Sequence, residues 1–304
     1  MASFIDFRNP PGSDSRADRL IRANSEPLWL RRCLIGIVLA FFILFLALPL
    51  LVVFQGAFAK GIKVFWETFC DRDILNSIQI TLIIALIAVP ANTLFGISAA
   101  WAITRYSFRG RQLLLALVDL PLWVSPVIGG LIYVLLYGRR GYLGPWLQAH
   151  DIRIIFALPG MVMATTFVTF PFVARSLIPL MQAQGFEEEE AALTLGAGGF
   201  QILRRITIPK IRWGLFYGVI LCNARAMGEF GAVSVVSAKI SGQTNTMPLE
   251  IERLYNDYLF ASAFTVALAL SLLALITLCL KTFAEWENRR QFEIGQQALL
   301  ETTN

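Results

Sequence analysis

Six blocks, each of more than 20 mostly apolar residues, occupy 33–54, 76–104, 112–137, 154–180, 213–237 and 260–283. A helix needs about 20 such residues to cross the hydrocarbon core of a bilayer. The chain therefore reads as an all-α, polytopic integral membrane protein with six transmembrane helices. Composition agrees, with 56% hydrophobic and 15% charged residues and a mean hydropathy of +0.62. A soluble domain is about 45–50% apolar and about 25% charged. The first block follows 32 polar, Arg-rich residues, a longer leader than a signal peptide usually has, and reads as a retained signal anchor. Residues 1–32, with Pro10-Pro11-Gly12-Ser13, read as a flexible tail, 33–283 as the membrane domain, and 284–304 as a polar tail forming a short surface helix.

Basic residues give the orientation. With the N-terminus inside, 17 Lys and Arg fall on the cytoplasmic side and 8 on the opposite side, Arg225 lying within a helix. Arg175 is counted here with the cytoplasmic loop after the fourth helix. Positive charge concentrates on cytoplasmic loops, so both termini are expected in the cytoplasm. The net charge of +5 is explained by this placement rather than by nucleic-acid binding. Prolines at 90, 121, 126, 159, 171 and 179 each remove a backbone hydrogen bond and invite a kink.

The loop between the fourth and fifth blocks, about 181–212, is unlike its surroundings. Glu187 to Glu190 open a short helix, where acidic residues complement the helix dipole. Ala191 and Ala192 keep one face thin enough to enter a groove. Gly196, Gly198 and Gly199 break the helix, a second short helix is expected from Phe200 to about Thr207, and Pro209 opens the next element. The four glutamates alone would read as a solvated face, but the full spacing outweighs that reading.

The fifth block holds Arg225 and Glu229, four apart and close enough to pair on one helical face. Charges at membrane depth are costly and face a protein interior or a wet cavity. The pair therefore reads either as an internal lock or as part of a gate or pathway wall. Gly228 and Gly231 allow close helix approach. Asp119, in the third block near a helix end, is a lesser pathway candidate.

Catalytic signatures are missing from the sequence. It has no G-x4-G-K-[ST] phosphate cradle, no H-E-x-x-H and no G-x-S-x-G. Cys33, Cys70, Cys222 and Cys279 form no CxxC pair and read as small buried hydrophobes, and with His150 as the one histidine a metal site is not expected. The chain is expected to be a transport subunit, not an enzyme.

Glu190-Ala191-Ala192, then Gly196, Ile206 and Pro209, follow the pattern E-A-A-x3-G-x9-I-x-[LI]-P, with Ile208 where Leu is more usual. This pattern, within about 76–283, resembles the permease subunits of binding-protein-dependent ABC importers. N-A-R-A-M-G-E-F-G-A-V-S-V-V-S from Asn223, T-N-T-M-P-L from Thr244 and L-Y-N-D-Y from Leu254 are similar to permeases of bacterial sulfate/thiosulfate importers, while molybdate permeases share A-R-A-x-G-E-F-G. The resemblance implies a type I importer transmembrane domain in the bacterial cytoplasmic (inner) membrane. It implies a second related permease, a dimer of ATP-binding subunits holding ATP and Mg, and an extracytoplasmic sulfate/thiosulfate-binding protein. The loop would dock in the ATPase, and the binding protein would meet loops 55–75, 138–153 and 238–259. An ATPase-independent transporter or channel would leave the Glu190–Pro209 loop unexplained.

Overall fold

The computed structural model describes residues 28–185, 187–240 and 242–302, so most of the N-terminal tail lies outside the described residues. Among these the chain is helical, with turns and loops between helices and no strand. Two compact units are distinguished, Met1–Val52 and Val53–Asn304. In the first, α1 (Leu28–Phe42) runs through a single π-helical turn (Ile43–Ala47) into α2 (Leu48–Phe58), whose last turns belong to the second. Its apolar side chains are exposed from Leu34 to Val52, apart from the half-buried Ala47, as suits a lipid-facing surface.

The second unit contains α3 (Ile62–Phe69), α4 (Arg72–Arg105), α5 (Arg111–Trp123), α6 (Pro126–Tyr137), α7 (Gly144–Ala149) and α8 (Leu158–Ala183). After them come α9 (Glu187–Thr194), α10 (Gly199–Ile202), α11 (Ile208–Met227), α12 (Gly231–Val236), α13 (Met247–Asn256) and α14 (Phe260–Thr302). α8 is central, packing on α4, α5, α11 and α12. The largest core cluster joins α4, α5, α8 and α11 through Ile103, Val118, Val173, Leu177, Met181 and Ile211. A second cluster packs α12 and α13 against α4 and α8 through Ile84, Met161, Val233 and Leu249.

Close packing is set by small residues. A Cβ on Gly96 of α4 would lie 2.6 Å from Val173 Cγ1, and one on Gly218 of α11 would strike Ser176 Oγ and come within 3.3 Å of Val173 Cα. Both helices thus close on α8 at the same level, as small residues permit in membrane bundles. A Cβ on Gly231 would lie 3.0 Å from Pro126 Cβ, so that approach is close, but a Cβ on Gly228 would meet only the Ala224 carbonyl of its own helix, so the expected close approach there is not made.

Several expectations change. Among the described residues four helices are long and apolar enough to span a membrane, Trp29–Phe58, Arg72–Arg105, Leu158–Ala183 and Phe260–Leu280; a fifth is counted if the bent pair α5 and α6 is one span. That pair breaks at Val124–Ser125 with a 106° bend, because Pro126 starts a new helix instead of kinking an existing one. The expected fifth span is α11 followed, after a break at Gly228–Phe230, by α12. Lys210, Arg212 and Arg225 give α11 too many charges to be recognised by apolarity. Pro90, Pro171 and Pro179 sit inside α4 and α8 without ending them. The separate surface helix after 283 is not made, since α14 continues unbroken to Thr302. Of the cysteines only Cys222 is buried; Cys33, Cys70 and Cys279 are exposed in this chain.

Candidate functional site

The loop between α8 and α11 is built around α9. Its four glutamates occupy the first turn, where the free N–H groups favour negative charge. Its end is a Schellman turn: Gly196 N–H donates to Leu193 C=O at 2.9 Å and Ala197 N–H to Ala192 C=O at 3.0 Å, with Gly196 at φ +83. The expected second helix is not free-standing. α10 runs through a π-helical turn (Leu203–Thr207) directly into α11. Pro209 lies in the first turn of α11, just after this wider turn, which relieves the clash of a proline ring with the carbonyl four residues back.

Glu190 and Ala191 are exposed, Ala192 and Ile206 half-buried, and Pro209 exposed. Around Ala192, Gly196 and Ile206, with Leu195, Gln201 and Arg205, lies an open cleft of about 360 Å³. Leu193, Leu195 and Phe200 are largely exposed. Of the six motif residues, Ala192, Gly196 and Ile206 thus meet at one cleft, while Glu190, Ala191 and Pro209 do not line it; its apolar character suits contact with another protein.

Beneath that surface is a joint that the sequence reading missed. Glu189 is buried, unlike its three acidic neighbours. Its Oε2 lies 2.6 Å from Arg105 Nε, and its Oε1 accepts from Arg105 Nη2 at 3.0 Å and from Thr207 Oγ1 at 2.8 Å. Arg105 Nη1 also donates to the Met181 carbonyl at 3.3 Å. Arg105 is the last residue of α4, where a cation complements the helix C-terminus. A second, more exposed tie joins Lys210 Nζ to Glu188 Oε1 at 2.9 Å. Nothing in a run of four glutamates marks which one turns inward; the phase of α9 decides it.

Arg225 and Glu229 do meet, at 2.5 Å between Nη1 and Oε2, a charge contact rather than an aligned hydrogen bond. They do not share one unbroken helix. Glu229 lies past the end of α11, and its Oε1 accepts from Ala232 N–H at 2.8 Å, holding the start of α12. The gap between Glu229 and Thr81, Thr165 and Thr246 has no room for a water. Glu229 is therefore a packed internal tie, while Arg225 stays one-third exposed. Asp119 joins neither. It pairs with Arg175, at 3.4 Å from Nε, and Arg175 is a residue of α8 and not of the loop in which the charge count placed it.

The Thr244–Asn245–Thr246 stretch is buried and stitches three elements together. Ser237 Oγ donates to the Thr244 carbonyl at 2.6 Å, Asn245 Nδ2 to Glu250 Oε2 at 2.8 Å, and Met247 N–H to Thr81 Oγ1 at 2.9 Å. Arg253 binds Glu250 and Asp257, and hydrogen bonding to Glu250 pushes its pKa up from an already high value, so this cation stays charged. Among the described residues no group of three or more His, Cys, Asp or Glu could hold a metal ion.

Residues 92–292 match the family described as binding-protein-dependent transport system inner membrane component. The chain is 50% identical over 280 residues to the sulfate transport system permease protein CysW of Escherichia coli (strain K12), covering 92% of this chain and 96% of that protein. It is 36% identical over 247 residues to the sulfate transport system permease protein CysT of the same strain, covering 80% and 89%. A chain of a bacterial alginate ABC transporter, solved in complex with an alginate pentasaccharide-bound periplasmic protein, superposes with a TM-score of 0.72 over 86% of this chain and 94% of that one. At 19% identity this is a likeness of fold alone, that of a type I ABC permease. With its loop motif and its helical fold in agreement, the chain belongs to the family of binding-protein-dependent transport system inner membrane components.

Proposed function

We propose that this chain is a permease subunit of an ATP-driven importer of sulfate and thiosulfate, moving the anion by alternating access. The observation that carries the reading is 50% identity to a sulfate permease across nearly the whole chain; an open, partly apolar cleft beside Ala192, Gly196 and Ile206 in the Glu190–Pro209 loop supports it. In this reading six spans are formed by α1 with α2, α4, α5 with α6, α8, α11 with α12, and α14. Both termini and α9 lie in the cytoplasm of a bacterial-type inner membrane. α9 docks in an ATP-binding subunit, and a dimer of such subunits binds ATP and Mg. Likeness to both CysW and CysT supports pairing with a second, related permease. The extracytoplasmic loops 55–75, 138–153 and 238–259 receive the sulfate/thiosulfate-binding protein. Arg225 lies along the anion's route, where a partly exposed cation lowers the cost of a divalent oxyanion at membrane depth.

The test is uptake of labelled sulfate in cells with and without the gene, against excess thiosulfate, molybdate or tungstate. Loss of uptake on deletion, with competition by thiosulfate alone, is expected. Intact sulfate uptake beside lost molybdate uptake would overturn the anion assignment and keep the transport class.

A further inference from the structure

Two routes lead mechanically out of α9. One is the backbone, and at both ends it passes through glycine in the left-handed region, Gly185 at φ +67 before the helix and Gly196 at φ +83 after it. Such joints bend before they push. The other is through side chains. The Glu188–Lys210 pair is exposed on its acidic side, and exposed pairs are weak. Glu189 differs in kind. It is only 8% exposed, its Arg105 partner's side chain only 9%, and its carboxylate binds both Arg105 and Thr207. Through these, one residue of α9 is fixed to the end of α4, the turn that feeds α11 and, by way of Arg105, the Met181 carbonyl of α8. α4 has 34 residues, about 50 Å of helix, enough to carry a displacement across a bilayer.

We propose that the Arg105–Glu189–Thr207 node is the joint that transmits displacement of α9 to α4 and α11, making Glu189, Arg105 and Thr207 positioning residues for energy coupling. This rests on the reading above that α9 takes its force from an ATPase. The node acts as a rigid bearing. The charge pair holds α9 against α4, while the Thr207 hydroxyl makes the π-helical turn follow the same carboxylate. Glu190, one residue on, is exposed and free for the partner.

The test uses the assembled complex in proteoliposomes with its anion-loaded binding protein, reading anion moved per ATP hydrolysed, with whichever oxyanion the uptake competition identifies. Glu189→Gln removes the charge, Thr207→Val removes the hydroxyl at constant shape, and Thr207→Ser restores a hydroxyl. In Glu189→Gln and Thr207→Val the ratio is expected to fall roughly tenfold, within the range for loss of a coupling interaction, and in Thr207→Ser to recover. An unchanged ratio in Thr207→Val, with or without assembly of Glu189→Gln, reduces the node to a brace and overturns the proposal. Lower complex yield at a normal ratio does the same. A wild-type complex that hydrolyses no ATP would overturn the premise along with the joint, so the two failures are distinguishable.

Discussion

Val173 is fully buried between two glycines on two different helices, Gly96 of α4 and Gly218 of α11. Replacing Gly218 by Val would drive its side chain into Ser176 and the α8 backbone at Val173; the Ser176 hydroxyl can rotate aside, but Ser176 Cβ and Val173 Cα, each 3.3 Å from an added Cβ, cannot. Overpacking of this kind costs roughly 1–3 kcal/mol. Gly218→Val is expected to lower the thermal midpoint and yield of the purified complex, and Gly218→Ala to do so less; equal stability of all three forms would show that α11 does not close on α8 here. At this scale the sequence was partly legible. Arg225 and Glu229 were found because charge in an apolar block is conspicuous. Glu189 was hidden among like neighbours, and Arg175, although inside the 154–180 block, was counted with the cytoplasmic loop because a charge near a block's end reads as interfacial. Gly228 was flagged for packing and Gly218 was not, since composition cannot say which glycines face a neighbour.

α9 is eight residues long, too short to be stable alone in water, and its form depends on its ends. Gly196 supplies the left-handed residue that the Schellman turn requires, and a Cβ there meets nothing within 4 Å. A substitution is therefore penalised by backbone strain alone, about 1–2 kcal/mol and more for a β-branched residue. Gly196→Val is expected to leave the protein in the membrane at normal amount while abolishing transport, because Leu195 is no longer held at the cleft beside Ala192 and Ile206. Normal uptake by this variant would remove the turn from the coupling surface. The element pattern itself was read from apolar length, which locates helices well and breaks poorly. Pro126 opens a helix and Pro90 sits inside one, though each is a proline in an apolar run. The difference lies in what packs around each, Ala232 and Gly231 beside the α6 start and α8 along α4, and that is tertiary information. The run from α10 into α11 was likewise divided at Pro209, where the π-helical turn lets the chain continue.

For the whole molecule, orientation follows from the charge distribution. Moving Arg175 from the loop into α8 leaves 16 Lys and Arg on the side proposed to be cytoplasmic against 8 on the other, so the charge bias behind that proposal is kept. Arg175 lies eight residues before the end of α8 and Asp119 eight residues into α5, each about 12 Å along its helix. The two charges therefore match in depth and neutralise each other without fixing direction. The α9 surface and the α6–α8 loop should then lie on opposite sides of the bilayer. Leu195 and Tyr142 are almost fully exposed and report on those two sides. In a background with the four native cysteines replaced by serine, a membrane-impermeant maleimide added to intact spheroplasts is expected to label Tyr142→Cys and to spare Leu195→Cys until the membrane is opened. Labelling of Leu195→Cys in sealed spheroplasts would place α9 outside, away from any cytoplasmic ATPase, and the coupling role of the Glu190–Pro209 surface would fall with it.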